Sequence, residues 1–268
     1  MSREQLEGRW ALVLGASSGF GAATSRALAG AGMNIFGVHL DPRSRLPRAQ
    51  EVMDDIEATG SQAVFFNTNA ASARKRGRVL DQIEEVLADD PADGVHFMLH
   101  SLAFGSLLPF IAEEPDEAVS ESQMEMTLRV MAHTLVYWVQ DLVRRDLLLP
   151  GSRVYALSSE GAERMAPNYG AVSAAKAALE SHMRQLTLEL GSRGIAVNCL
   201  RPGVTDTPAL RAIPGHEAYM EEALRRNPSG RLTTPQDVAT TLVVLADPGL
   251  TWISGAVIPV DGGETIVG

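Results

Sequence analysis

Three side chains between residues 157 and 180 have the types and the spacing of a proton-transfer site. Tyr169 precedes Lys176 by seven residues, and Ser158 lies upstream of both, just past an apolar run. In a continuous α-helix, seven residues make nearly two turns, so the phenol and the ammonium would share a face about 10 Å apart along the axis. A cofactor bound between them would allow the lysine charge to lower the pKa of the phenol. The alternative is that two helix residues have this spacing by chance. The motifs elsewhere in the chain are needed to choose between the two interpretations.

The elements that would position this site follow from the alternation of short apolar runs with longer helical patterns. Strands are predicted over residues 10–14, 34–38, 63–66, 95–99, 153–157, 195–200 and 256–260. Helices are predicted from the first strand to about Ala31 and over residues 50–59, 77–88, 124–145 and 174–190. Repeated strand–helix units with buried apolar strands indicate one doubly wound α/β domain over residues 1–268. We expect a seven-stranded, mostly parallel sheet with helices on both faces.

A glycine-rich turn follows the first predicted strand and opens the first predicted helix. Glycines let the backbone turn sharply, and the amides at a helix N-terminus can bind a pyrophosphate. This position in the first unit of an alternating chain predicts nucleotide binding. The expected contacts are Gly15, Ser17, Ser18, Gly19, Phe20 and Gly21.

The end of the second predicted strand bears on the choice of cofactor. An acidic residue there would bind the ribose hydroxyls and repel a 2′-phosphate, whereas arginines would attract a phosphate. His39 occupies the position expected for the acid, and Asp41, Arg43 and Arg45 follow it. The pattern therefore favours NADPH, with NADH as the second choice. Asn69, after the third strand, is predicted to pair with the adenine amino group.

Several motifs together resemble the short-chain dehydrogenase/reductase superfamily over about residues 8–265. They are the Gly-x-x-x-Gly-x-Gly turn, the set Ser158, Tyr169 and Lys176, the run Arg201-Pro202-Gly203-Val204, and the run Val260-Asp261-Gly262-Gly263. The resemblance implies a single Rossmann domain that binds a nicotinamide cofactor. Further cofactor contacts are then expected at Lys176, Ser101, Leu102, Ala103, Pro202, Gly203, Val204, Thr205 and Thr207.

Two signatures within this resemblance are similar to the enoyl-acyl-carrier-protein reductases. Most members of the superfamily space the tyrosine and the lysine by four residues, whereas Tyr169 and Lys176 are seven apart. The run His100-Ser101-Leu102-Ala103-Phe104 also differs from the Asn-Asn-Ala-Gly that is usual in ketoreductases. The better-known enoyl reductases have a second tyrosine at the position of Ser159, and an NADPH-dependent third type resembles this chain in having Ser-Ser there. Arg129 stands where ketoreductases have an asparagine in the long central helix.

The resemblance implies reduction of the trans-2 double bond of an enoyl thioester, as in fatty acid biosynthesis. Tyr169 is expected to donate a hydrogen bond to the enolate oxygen, Lys176 to bind the nicotinamide ribose, and Ser158 to act as a second donor. Three alternatives stay open. They are a 3-oxoacyl or other carbonyl reductase on the same scaffold, a reductase of a different unsaturated substrate, and a non-catalytic nucleotide-binding protein.

The long connection over residues 207–231 is predicted to cover the substrate as a lid, with a helix packed permanently on the core as the alternative. Its arginines, Arg211, Arg225 and Arg226, are expected to contact an acidic acyl carrier protein. Apolar side chains in the C-terminal segment, among them Trp252, predict association into a homotetramer.

Composition argues against several other classes of function. The net charge of −10 disfavours nucleic acid as a partner, and the basic run from Arg74 to Arg78 is predicted to be a solvated helix face. A single cysteine, Cys199, excludes an internal disulfide, and no metal is expected. No apolar stretch approaches the length of a membrane span, and the start has no signal-like apolar core, so a cytoplasmic location is expected.

Overall fold

The computed structural model describes residues 5–88, 90, 92 and 94–267. Within these ranges the chain forms one seven-stranded sheet in which each pair of neighbouring strands is parallel. The strands are β1 (Trp10–Leu14), β2 (Asn34–His39), β3 (Ala63–Asn67), β4 (Val95–His100), β5 (Leu148–Leu157), β6 (Ala196–Pro202) and β7 (Val257–Val260). They are arranged in the order β3-β2-β1-β4-β5-β6-β7. The order reverses between β1 and β4, which opens a crevice at the carboxyl ends of these strands.

The helices cover both faces of the sheet, as the sequence predicts. They are α1 (Gly19–Gly30), α2 (Leu46–Glu57), α3 (Ala73–Leu87), α4 (Glu121–Leu128), α5 (Thr134–Arg144), α6 (Gly170–Leu190), α7 (Pro208–Arg211), α8 (His216–Arg226) and α9 (Pro235–Leu245). One core layer packs α3, α5 and α6 against the sheet. The other core layer packs α1, α2 and α9 against the opposite face. The doubly wound α/β fold is therefore confirmed.

The long helix expected over residues 124–145 is interrupted in the structure. A π-helical turn, Arg129–His133, separates α4 from α5. Such turns carry an extra residue and leave backbone carbonyls outside the regular i→i−4 pattern. The hydroxyl of Thr134 takes up one of them by donating to the Arg129 carbonyl at 2.6 Å.

The basic run at the start of α3 is only partly a solvated face, which corrects the sequence prediction. The Arg76 side chain is buried and donates to Asp141 of α5 at 2.6 Å. Its guanidinium also lies over the Tyr137 ring, 5.6 Å from the ring centroid. Arg76 therefore joins α3 to α5, a role that a run of like charges in the sequence does not reveal.

Across the described ranges, no helix combines the length and the hydrophobicity that a bilayer crossing requires.

Candidate active site

The candidate site lies at the carboxyl ends of β1, β4, β5 and β6, beside the reversal in strand order. Backbone hydrogen bonds continue past the strand ends and fix the loops that follow. The amide of Gly15 donates to the Val38 carbonyl at 2.8 Å, and the amide of Ser101 donates to the Leu14 carbonyl at 2.9 Å. The loops after β1 and β4 are therefore anchored side by side.

The turn between β1 and α1 leaves no room for side chains at two of its glycines. A Cβ atom on Gly15 would lie 2.5 Å from the Ser101 carbonyl oxygen, and one on Gly21 would lie 2.0 Å from the Gly15 carbonyl oxygen. Gly15 also has a φ of +94°, in the region that favours glycine. At the start of α1, the Ser18 side chain makes no capping hydrogen bond. The backbone thus presents the first amides of a helix to the crevice, an arrangement that fits a pyrophosphate.

An open groove of about 360 Å³ runs along this turn. Thr207, from the loop after β6, lies beside the turn, because a Cβ on Gly19 would meet the Thr207 methyl group at 3.7 Å, and its neighbours Asp206 and Pro208 line the groove. The structure therefore brings together the predicted contacts from two distant parts of the chain. The groove is lined by Ser17, Ser18, Gly19, Ala22, Ala23, Arg26, Arg48, Glu51, Val52, Asp206, Pro208, Pro235 and Gln236.

The residues at the end of β2 and directly after it form a small polar cluster. The Nδ1 atom of buried His39 lies 2.8 Å from the Asp41 carboxylate. Asn67 at the end of β3 fixes Asp41 by accepting from its amide and donating to its carbonyl, each at 3.0 Å. Arg43 follows on an exposed 3-10 turn. Asn69 is exposed, and its side-chain oxygen accepts from the Ala71 amide at 2.9 Å.

Tyr169 is the N-cap residue of α6, and its side chain is half-buried. It follows Asn168, whose φ of +60° turns the chain into the helix. The ring packs against Gly161, where a Cβ would lie 2.5 Å from the ring edge. Burial raises the pKa of the Tyr169 phenol, a hydrogen bond with Ser159 lowers it, and Tyr219 of α8 raises it. The net shift keeps the phenol protonated, so it is available as a hydrogen-bond donor.

Lys176 lies inside the second turn of α6, and its side chain is buried. Its Nζ atom donates to the Leu157 carbonyl at the end of β5 at 2.6 Å. Burial lowers the pKa of the ammonium to about 8, against the opposing influence of Cys199 and Glu180. Tyr169 and Lys176 therefore belong to the N-cap and the second turn of one helix, and the Lys176 ammonium lies at the end of β5.

Ser158 does not direct its hydroxyl towards Tyr169. The buried hydroxyl makes a short hydrogen bond to Glu180 of α6, one turn beyond Lys176. Arg201 also donates to Glu180, at 3.1 Å, and forms two further hydrogen bonds to Glu163 at 2.8 and 3.0 Å. Ser158 thus belongs to an ionic network that joins α6 to the loop after β5 and to the end of β6.

The loop after β6 packs against the C-terminal segment. Gly203 allows close approach, because a Cβ there would lie 2.4 Å from the Thr233 hydroxyl. The Val204 amide donates to the buried carboxylate of Glu264 at 3.1 Å, and the Thr205 hydroxyl donates to the Gly203 carbonyl at 2.9 Å. The amide of Val204 is therefore already paired, which leaves its carbonyl for a ligand.

The family described as enoyl-(acyl carrier protein) reductase matches residues 15–265. The chain belongs to the short-chain dehydrogenase/reductase superfamily, in this enoyl reductase-like family. The matched region contains the glycine-rich turn, the Tyr169–Lys176 pair and the loop after β6. The fold and the family that the sequence motifs indicate are thus both confirmed.

Relatives of the chain have several different names. It is 27% identical to versicolorin reductase from Emericella nidulans, over 97% of this chain and 96% of that protein. It is 29% identical to 3-oxoacyl-[acyl-carrier-protein] reductase from Pseudomonas aeruginosa, over 96% of this chain and 98% of that protein. The structure of enoyl-[acyl-carrier-protein] reductase (NADH) from Aquifex aeolicus superposes with a TM-score of 0.83 at 24% identity, over 98% and 99% of the two chains. That last likeness shows the fold alone.

Ser159 is the site residue that sequence reasoning did not select. Its hydroxyl interacts with the Tyr169 phenol and accepts from the Gly161 amide at 3.1 Å. Adjacent strand-end residues point to opposite sides, so only one of two neighbouring serines can face the phenol. The signal that could have identified Ser159 was already visible, because the better-known enoyl reductases have a tyrosine at this position.

The segment over residues 206–231 contains α7 and α8, and we call it the cover segment. It lies beside the site at Thr207, next to Gly19, and at Tyr219, which influences the Tyr169 phenol. The side chain of Arg226 at the end of α8 is 12% exposed and lies 3.2 Å from Glu160 and 3.6 Å from Glu264. Arg211 and Arg225 are exposed and are paired with carboxylates of the same segment at 2.6 and 2.7 Å. The arginines predicted to contact a carrier protein are thus engaged within the chain.

Among the described residues, no group of three or more His, Cys, Asp or Glu side chains is arranged to hold a metal ion.

Proposed function

We propose that this protein is an NADPH-dependent enoyl thioester reductase that acts on the trans-2 double bond of an acyl chain. One observation carries the proposal. The position four residues before Lys176, where most superfamily members have tyrosine, is occupied by Val172, which is buried against Met131 and Ala175. The phenol comes instead from Tyr169 at the N-cap of α6. This placement is the one that resembles the enoyl reductases.

The side chains present fit this chemistry. The bound dihydronicotinamide would supply a hydride to the β-carbon of the enoyl group. Tyr169 would donate a hydrogen bond to the thioester oxygen as negative charge develops there, and one such pre-oriented donor typically lowers a barrier by about 3 kcal/mol. Ser159, already beside the phenol, would orient it, and Ser158 would hold Glu180 instead of the substrate. Lys176 would bind the ribose hydroxyls with the donors that it does not give to Leu157.

Parallel assays of NADPH oxidation test the proposal directly. We expect the purified protein to oxidise NADPH with crotonyl thioesters at least about tenfold faster, in kcat/KM, than with acetoacetyl thioesters, a difference of about 1.4 kcal/mol. Faster oxidation of NADPH with acetoacetyl thioesters would instead indicate carbonyl reduction. Tight NADPH binding without turnover on either class would indicate a binding protein or a different unsaturated substrate.

Carbonyl reduction is the second candidate, and one observation favours it. A serine hydroxyl paired with a tyrosine can donate to a carbonyl oxygen while the phenol delivers a proton, and Ser159 and Tyr169 have this relation. The relatives named above, which include a 3-oxoacyl reductase, are in keeping with this reading.

We propose NADPH as the preferred cofactor because the end of β2 presents a basic surface. Asp41, the acid nearest the expected ribose position, is engaged with His39, while Arg43 and Arg45 are exposed on the following turn. Replacing both arginines with alanine should raise the KM for NADPH by about tenfold and leave the KM for NADH within about twofold. An equal rise in KM for both cofactors would show that the two arginines do not recognise the 2′-phosphate.

We also propose an acyl carrier protein as the substrate carrier and a homotetramer as the assembly. The apolar surface supports assembly, because Trp252 is 98% exposed, Ile266 86% and Leu188 76%. A monomeric mass by light scattering at micromolar concentration would contradict it.

A further inference from the structure

His100 is a buried polar residue to which the proposed reaction assigns no role. It ends β4, where it pairs with Leu14 of β1 and Ala156 of β5, and its side chain has no exposed surface. Side chains two apart on a strand share a face, and Met98, two residues earlier, packs with the helix layer that contains α5 and α6. The imidazole therefore lies between the sheet and this layer.

Within the described residues, no side chain or backbone group has good hydrogen-bonding geometry with either ring nitrogen of His100. Buried polar nitrogens in folded proteins nearly always have a protein or water partner. Two groups are near enough to affect the ring. Burial and the Lys176 charge lower the pKa of His100 to about 3, and the Val130 carbonyl acts in the opposite direction. The ring is therefore neutral, with one N–H donor and one acceptor nitrogen.

The groups around Lys176 provide few hydrogen-bond acceptors for its ammonium. One N–H is taken by the Leu157 carbonyl. The Cys199 thiol of β6 is neutral, since burial raises its pKa to about 12. The Oε1 atom of the Glu180 carboxylate on α6 already accepts from both Ser158 and Arg201. His100 of β4 is the remaining titratable side chain with a described influence on this environment.

The π-helical turn supplies the complementary acceptor. Val130 lies within this turn, directly after Arg129, whose carbonyl is taken by the Thr134 hydroxyl. The Val130 carbonyl faces His100. An imidazole whose N–H donates towards this carbonyl keeps its other nitrogen as an acceptor. His100 pairs with Ala156, the residue before Leu157, whose carbonyl accepts from the Lys176 ammonium.

We propose that His100 is a positioning residue for Lys176. Its N–H donates to the Val130 carbonyl, and its acceptor nitrogen holds one buried water that accepts from the Lys176 ammonium. The water satisfies the second ring nitrogen and gives the ammonium a second fixed acceptor besides Leu157. Lys176 is thereby held in its charged form and aimed at the cofactor ribose. The inference rests on the proposed role of Lys176 as a cofactor ligand, but not on whether the substrate is an enoyl or a carbonyl compound.

The test compares His100→Leu, which cannot hold the water, with His100→Gln, which keeps a donor and an acceptor. Met98→Leu is the matched control, because it alters packing on the same strand and face. The readout is the pH dependence of NADPH binding, measured by fluorescence titration. In the wild type, affinity should fall as the pH rises through about 8, where Lys176 loses its charge.

In His100→Leu the ammonium loses an acceptor, so its pKa falls further. We expect the midpoint to move at least about 0.5 pH unit lower, and the NADPH Kd at pH 8 to rise about fivefold. His100→Gln and Met98→Leu should stay within about twofold of the wild type. A folded His100→Leu protein with the wild-type midpoint, or an equal shift in Met98→Leu, would overturn the proposal. A wild-type protein that binds no NADPH would instead refute the proposed function.

Imidazole nitrogen NMR decides the matter independently of cofactor binding, and it applies even if His100→Leu fails to fold. The His100 signals, assigned with His100→Gln, should show one neutral tautomer throughout pH 5–8. Titration of His100 near the usual value for histidine, or averaging between two tautomers, would contradict a ring fixed between Val130 and a bound water.

Discussion

The two sides of the proposed cofactor crevice are held in place by different forces. On one side, the glycine-rich turn packs backbone against backbone, as the close contact of Gly21 with the Gly15 carbonyl shows. On the other side, the cover segment depends on side-chain ion pairs, of which the most buried is made by Arg226. Close backbone packing requires glycine at defined positions, so it leaves a pattern in the sequence. Ion pairs between distant residues leave none.

The comparison predicts that the turn is the less tolerant of the two sides. Gly21→Ala places a methyl group against the Gly15 carbonyl, so the turn must open and the amides must move. We expect the NADPH Kd to rise by at least about 100-fold, equivalent to about 2.7 kcal/mol. Gly30→Ala is the matched control at the other end of α1, where no atom lies within 4 Å of the added Cβ. It should bind NADPH normally and melt at the same or a higher temperature. Normal NADPH binding by Gly21→Ala would contradict the expectation that the turn is the less tolerant side.

Lys176 belongs to neither side, since it reaches the proposed ribose site from α6 and is anchored to the end of β5. Its pKa of about 8 means that the ammonium is charged below this pH and neutral above it. Cofactor affinity should therefore decrease as the pH rises through about 8. Lys176→Met should weaken NADPH binding about tenfold at pH 7 and remove this pH dependence. Lys75→Met on α3 is the control, and it should leave both the affinity and its pH profile unchanged.

The cover segment should show the smaller effect. Arg226→Gln leaves the buried Glu264 carboxylate without an arginine and Glu160 with Arg164 alone, so α8 should pack less firmly beside Tyr169. We expect the KM for the thioester to rise about fivefold, with a change in kcat of less than about twofold. Arg211→Gln removes an exposed ion pair and should change neither parameter by more than about twofold. A larger loss in Arg211→Gln than in Arg226→Gln would show that buried pairing does not hold the segment.

The sequence predicted the strands and the glycine-rich turn because both depend on local patterns. The buried strand β1 has apolar side chains throughout, and Gly15 and Gly21 stand where the backbone comes closest. The spacing of Tyr169 and Lys176 assigned both to one helix, and they are found at its N-cap and in its second turn. The parallel pairing followed from the alternation of strands and helices, whereas the order of the strands was seen only in the structure.

Other features depend on contacts between distant residues and could not be predicted in this way. The choice between Ser158 and Ser159 depends on Glu180, which lies 22 residues from Ser158 and takes its hydroxyl. The π-helical turn interrupts a continuous amphipathic pattern, and the burial of Arg76 depends on Asp141, 65 residues away. Each of these outcomes is decided by a tertiary partner and not by the local sequence.

Turnover by Tyr169→Phe tests the central claim most directly. The phenyl ring keeps the packing against Gly161 and loses the hydroxyl that would donate to the enolate. On the thioester that the wild type reduces fastest, we expect kcat to fall about 100-fold while the NADPH Kd stays within about twofold. Ser158→Ala, which removes a hydroxyl bound to Glu180, should retain most of the activity. Wild-type turnover by Tyr169→Phe on every thioester tested would mean that the Tyr169–Lys176 pair is not the reactive site.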